Sequence, residues 1–234
     1  MARPATDLKH RVLAAARESF DRDGVDAVSL RTIARRAGTT IGMIYYYFPT
    51  KDDLFLAVVE DVYQLVLPDI AALLTADAPL RDKLARVMRR FASGSEAERA
   101  VMRIAVRDML VSPSRRARLF ERFQRGHIPL VLGAMVRAEQ SGELRTDVPT
   151  TMKLFSAGAV AVLGSLVLEH LPLPGLPPAA QRVELALDLL FDGIGAPAAT
   201  RAAAASARSS VPRPRATTSP SASSRASRAR PRRA

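Results

Sequence analysis

The sequence predicts an all-α protein, on three observations. Apolar residues recur three and four positions apart throughout the chain before residue 196, no run alternates with period two over the length of a strand, and the breaks fall on cap and stop residues. With 234 residues, 48% of them apolar and 25% charged, the chain has material for a sizeable core, and wholesale disorder is excluded.

The first helix is expected over Asp7–Asp23, with Leu13, Ala16 and Phe20 on one face and Gly24 just past its end, where a left-handed residue stops a helix. A second begins at Ser29, carries Leu30, Ile33 and Ala34 inward and Arg31, Arg35 and Arg36 outward, and ends at Gly38. Thr40 opens a third that buries Ile44 and Phe48 and stops at Pro49. Thr50 and Asp53 form a Thr-x-x-Asp capping pattern for a fourth helix, which Pro68 is expected to close. Later helices are expected over about 80–92, 97–111, 114–140 with a kink at Pro129, 149–169 and 178–192.

Composition narrows the chemistry. There is no cysteine, and only His10, His127 and His170 supply imidazole, so disulfide frameworks, thiol nucleophiles and cysteine-held zinc are excluded. No paired catalytic motif or glycine-rich phosphate loop is present, so an enzyme is not expected, nor a metal or cofactor. The longest charge-free apolar stretch, Leu154–Leu168, is too short to span a bilayer, which needs about 20 residues, and the expectation is a soluble, cytoplasmic protein.

The formal net charge of +12 is unevenly placed. Residues 196–234 hold nine arginines and no carboxylate among Ala, Ser, Pro and Thr, too little apolar surface to offset the entropy of ordering, so a disordered basic tail is expected. The remainder carries only +3. Within it, residues 27–51 contain Arg31, Arg35, Arg36 and Lys51 and no carboxylate. Two short helices joined by a tight glycine-containing turn, behind a stabilising first helix, make a helix-turn-helix. Ser29, Thr39 and Thr40 add neutral donors for phosphate, and Gly42 would let the third helix approach a major groove closely. On a helical wheel Gly42, Met43, Tyr46 and Tyr47 point away from Ile44 and Phe48, Tyr45 lies on the flank and Ile41 partly inward. Core packing or DNA contact could each account for one tyrosine, but three in succession cannot all face inward.

The run RVLAAARESFDRDGVDAVSLRTIARRAGTTIGMIYYYFPTKDDL, Arg11–Leu54, resembles the DNA-binding domain of the TetR/AcrR family of bacterial transcriptional regulators. The shared features are Phe20 and Gly24, Ser29 before Ile33-Ala34, Ala37-Gly38, Thr40, Gly42, Ile44-Tyr45, Phe48, Lys51 and Leu54. A weaker likeness covers AEQSGELRTDV, Ala138–Val148. The resemblance implies that Thr40, Tyr45, Tyr46 and Lys51 contact phosphates and that Ile41, Gly42 and Met43 face base edges. The family often has Lys where Ile41 stands and Thr or Ala where Met43 stands, so an operator sequence does not carry over.

The expected architecture is therefore an N-terminal three-helix helix-turn-helix DNA-binding domain, 1–49, a larger C-terminal helical ligand-binding and dimerisation domain, 50–195, and the tail, 196–234. The resemblance implies a two-fold homodimer on a palindromic double-stranded DNA operator, in the bacterial cytoplasm and on the nucleoid when bound, released by a small-molecule inducer. Leu154, Gly158, Ala161, Ser165, Leu185 and Leu189 are the expected dimer contacts, because the 154–168 segment is apolar nearly all round and contains small residues; a central helix of a monomeric bundle would read the same way. Met102, Arg103, Val106, Phe123 and Met135 are the candidate pocket lining. Arg103 and Arg107, four apart, would either face an anionic ligand or form a solvated stripe, and His127 has no partner legible in the sequence. The competing reading is a nonspecific architectural nucleic-acid binder driven by the basic tail.

Overall fold

The computed structural model describes residues 5–162, 174–175 and 177–194, and among these every extended element is a helix. The helices are α1 (Ala5–Asp23), α2 (Leu30–Ala37), α3 (Ile41–Tyr47), α4 (Lys51–Thr75), α5 (Leu80–Ala92), α6 (Glu96–Val111), α7 (Pro113–Gln124), α8 (His127–Gln140), α9 (Thr150–Val162) and α10 (Ala179–Ile194). The tail and Ser165 lie outside the described residues. One continuous core runs from Phe20, Ile33 and Ile44 at the N-terminal end, through Leu54, Phe55 and Leu74 of α4, to Ile104, Leu119, Met135 and Leu187. α4 is its axis, packing on α1 at one end and on α5, α6 and α8 beyond.

Two expected boundaries move. α4 does not stop at Pro68 but runs 25 residues to Thr75. Proline there removes one backbone hydrogen bond on a solvent-facing side, while Val66, Ile70 and Leu74 continue the buried stripe across it. The single helix expected over 114–140 is instead two, broken at Arg125–Gly126 rather than kinked at Pro129. Pro129 falls in the first turn of α8, where its missing N–H would have had no partner anyway. The break has a local cause: a Cβ at Gly126 would clash with the Tyr63 hydroxyl of α4.

That hydroxyl caps α8. It accepts the His127 backbone N–H at 3.0 Å and shares a hydrogen bond with His127 Nδ1 at 2.9 Å, doing what no side chain of the Gly126 cap position can. Phe123 packs on both rings, and the Arg122 guanidinium stacks 4.4 Å over Tyr63. His127, unpartnered in the sequence, is thus held neutral: burial first, and the Arg122 charge second, bring its pKa down to about 4.

The unfolded chain binds a proton at His127 near its ordinary pKa of 6.5, and the folded chain does so only near 4. Stability from this residue is therefore fully present above 6.5 and is lost as pH falls toward 4, by about 3 kcal/mol at most. Thermal unfolding of the wild type should show its midpoint dropping between pH 6.5 and 4, with a shallower drop for His127→Gln. Equal slopes in the two proteins would remove His127 as the cause.

Candidate nucleic-acid interface

Each part of the α2–α3 unit is fixed by a local bond. Ser29 Oγ accepts the Thr32 N–H at 3.1 Å and starts α2. Gly38, at φ 63°, ends it, its N–H turned back to the Ala34 and Arg35 carbonyls; the left-handed backbone is what makes so short a turn possible. Arg11 Nη1 donates to Ala37 O at 2.9 Å and Arg36 Nη1 to Ser19 Oγ at 2.5 Å, so Arg36, expected to point freely outward, ties α2 to α1. Thr40 Oγ1 accepts the Met43 N–H at 3.3 Å and starts α3.

α3 is pinned through Ile44 and Phe48, both buried, and this decides what it presents outward. Ile41 and Gly42 are exposed, Tyr45 is 51% exposed and Tyr46 77%. Ile41 is thus more outward than the wheel implied. Tyr45 and Tyr47 exchange roles: Tyr47 is partly buried, packed on the core and against Phe48 with ring centroids 6.2 Å apart, and meets the Tyr46 ring edge-on at 5.1 Å. A seven-residue helix with a single buried anchor, Ile44, is rotated by that anchor, and the wheel misassigned the flank by one position. Met43 and Thr39 are half-buried, and Ser29, Arg31 and Arg35 are exposed. A Cβ at Gly42 would meet only Thr40 Oγ1, at 3.9 Å. Nothing inside the protein requires glycine there, although glycine costs a helix about 1 kcal/mol relative to alanine.

Lys51 is not a free phosphate ligand. Its Nζ donates to Asp26 O at 3.0 Å and Val28 O at 3.3 Å, which commits two of its three N–H donors to fastening the α1–α2 loop onto α4. The capping pattern is confirmed: Asp53 N donates to Thr50 Oγ1, and Thr50 N to Asp53 Oδ2.

The C-terminal candidates are placed differently from expectation. Arg103 neither faces a ligand nor forms a solvated stripe: it is bidentate on Asp21 of α1 and pairs with Glu96. Arg107 donates to the Phe20 and Asp21 carbonyls at the end of α1, the negative pole of that helix. Met135 is core, Phe123 belongs to the Tyr63–His127 cluster, and Met102 and Val106 are half-buried on α6. Two surface clefts, of about 500 and 330 Å³, lie along α4 against α5 and α7, and none of the five candidates lines either. Of the dimer candidates, Leu154 and Ala161 pack partly on the core, Gly158 is open, and Leu185 and Leu189 are 45% and 78% exposed. Phe155 and Met152, missed in the sequence, are exposed beside Gly158 at three-residue spacing.

The largest omission is a set of arginines on α7. Arg115, Arg118 and Arg122 share a face and reach Asp52, Asp53 and Glu60 of α4 at 3.1, 2.7 and 2.6 Å. Arg115 also reaches Asp26 at 2.8 Å and Asp108 at 2.7 Å, with only 5% of its side chain exposed. These cations hold the carboxyls of Asp26, Asp53 and Glu60 below their usual range. Asp108 goes the other way, because burial outweighs Arg115.

A tri-helical unit with a tight glycine turn and an outward third helix is a helix-turn-helix, a motif that other proteins use to enter the major groove of DNA. Residues 12–58 match the model of the bacterial regulatory proteins, tetR family. This stretch, which runs from α1 into α4, is similar to the DNA-binding segment of that family of transcription regulators. It is 32% identical over 79 residues to the transcriptional regulator RutR of Escherichia coli K12, covering 34% of this chain and 37% of RutR. To the nicotine-responsive repressor HdnoR of Paenarthrobacter nicotinovorans it is 31% identical over 82 residues, 35% of this chain and 42% of the relative. The chain thus aligns with less than half the length of these curated relatives. Solved structures match over more of the fold. A tetR-family regulator from Shewanella sp. PV-4 superposes with TM-score 0.66 at 19% identity over 81% of this chain and 99% of its own. SmeT of Stenotrophomonas maltophilia gives 0.60 at 25% identity over 82% and 94%.

Replacing Thr40 with alanine removes the only side-chain cap of α3 and should cost about 1 kcal/mol. The urea midpoint should fall accordingly, and a Thr40→Ser variant, which keeps the acceptor, should recover it.

Proposed function

We propose that this protein is a dimeric, sequence-specific transcriptional repressor that leaves its operator when a small molecule binds the C-terminal helices. The observation that carries the reading is the outward face of α3, where Ile41, Gly42, Tyr45 and Tyr46 are exposed on a helix locked from behind. A helix costs itself stability to keep Gly42 open, and a base edge or phosphate approaching the backbone is the use that fits. Tyr45 and Tyr46 hydroxyls, Thr40, Ser29 and Arg31 are suited to the phosphate backbone on either side. Ile41 and Met43 offer apolar contact, which suits thymine methyl groups. Lys51 then serves binding chiefly by holding the loop.

The division at residue 49/50 follows from this role, with α4 leaving the DNA-binding unit at the Thr50 cap. Dimerisation is supported by Met152, Phe155, Leu185 and Leu189, exposed apolar side chains on α9 and α10. A two-fold dimer sets two recognition helices about 34 Å apart, one turn of DNA, and favours a palindromic site. Repression by inducer release is supported by the relatives: HdnoR is named a nicotine-responsive repressor and SmeT the repressor of a multidrug efflux pump. The ligand of this chain is its own question, because the pocket candidates are not gathered in one cavity. The tail is an accessory that adds nonspecific phosphate affinity.

The test is binding of the full-length protein and a 1–195 truncation to duplex DNA flanking its own gene and to a scrambled duplex. Selective binding by both, with two chains per site, is expected; indiscriminate binding lost with the tail would favour the architectural alternative. On a selected site, Tyr46→Phe and Lys51→Ala should weaken binding to all sequences alike, and Met43→Thr or Gly42→Ala should change which sequence is preferred. A random-sequence selection with each variant reads both effects.

A further inference from the structure

Around the continuous apolar core, arginines of the C-terminal helices reach the DNA-binding unit and the start of α4. α6 supplies Arg103 and Arg107 to the C-terminal end of α1. α7 supplies Arg115, Arg118 and Arg122 to the N-terminal half of α4. The two helices meet at one corner, where Ser112 ends α6 and caps α7 and Pro113 begins the new helix. Arg115 sits in that corner. Its Nε holds the buried Asp108 of α6 at 2.7 Å, and its Nη atoms hold Asp26 in the α1–α2 loop and Asp52 at the start of α4. The guanidinium lies 5.7 Å from the Phe55 ring. Asp108 Oδ2, buried, has no hydrogen-bond partner among the described residues, so the corner cannot rotate without exposing or stranding a charge.

We infer that Arg115 is a positioning residue: through Asp26 and Asp52 it fixes the angle at which the helix-turn-helix leaves the C-terminal domain, and so the spacing of half-sites the dimer accepts. This deepens the regulator reading and rests on it. The α6–α7 corner moves as a unit because Asp108 and Arg115 lock its two arms, and the HTH follows because the loop and α4 are gripped by the same side chain.

The test cuts the grip on the side away from the buried pair. The double variant Asp26→Asn/Asp52→Asn leaves Asp108–Arg115 intact and keeps neutral acceptors at both positions, and circular dichroism and thermal unfolding establish that it is folded before binding is read. Removing two negative charges raises affinity for any duplex, so the readout is a ratio: affinity for the selected palindrome over affinity for the same half-sites moved apart or together by one base pair. A ratio reduced about ten-fold or more, within the usual span of coupling between sites, supports the inference. Glu98→Gln, which cuts the Arg90 pair within the C-terminal helices, should lower the melting point and leave the ratio unchanged. A wild-type protein that prefers one spacing, with a double variant that keeps that preference, would overturn the inference alone. A wild type indifferent to spacing and sequence would overturn the regulator reading and this inference together.

Discussion

A guanidinium withdrawn from water must be neutralised where it stands, and this constraint at Arg115 organises the middle of the molecule. Three carboxylates from three separate stretches of chain converge on it: Asp26 from a loop, Asp52 from the first turn of α4, and Asp108 from α6. Lys51 on one side and Arg107 on the other bring the local balance back toward neutral. Apolar packing alone would join α4 to its neighbours with some freedom to slide, since ridges in grooves tolerate small shifts. Directional ion pairs at the corner take that freedom away. The placement of the α1–α2 loop, the start of α4 and the α6–α7 corner all refer back to this one buried charge.

What was legible in the sequence is what is encoded locally. The Ser29, Thr40 and Thr50 caps, the Gly24 and Gly38 stops and the inward Ile33, Ile44 and Phe48 depend on residues within about four positions, and each is found where spacing placed it. Pro68 was misread because a rule about one residue met a buried stripe that continues past it. The α7–α8 break was misread because its cause, the Tyr63 hydroxyl, lies more than sixty residues upstream. The arginines of α6 and α7 look in sequence like solvated helix faces, as their partners are on other helices. Only the five acids crowded into Asp7–Asp26, opposite a stretch with none, hinted that the N-terminal unit would be met by cations from elsewhere.

The candidate DNA face was easier to find than the effector site for a related reason. A DNA contact surface is built on one short helix whose anchors and outward residues alternate within a single turn, so Gly42 and Tyr46 could be named from their neighbours. A pocket in a bundle is assembled from several helices, and methionine or phenylalanine at helical spacing is equally good core. Met135 proved to be core, Arg103 an interdomain ion pair and Phe123 part of an aromatic cluster around a neutral histidine.

The passage of α4 through Pro68 has a mechanical meaning. A helix of 25 residues is about 37 Å long. One end carries the Thr50 cap beside α3, and the other packs among the C-terminal helices. A lever of that length turned by only 5° about its far end displaces its tip by about 3 Å, comparable to the 3.4 Å rise between successive base pairs. Had α4 ended at Pro68, the arm would be shorter by nearly a third, and the same tilt would shift the α3 end by only about 2 Å.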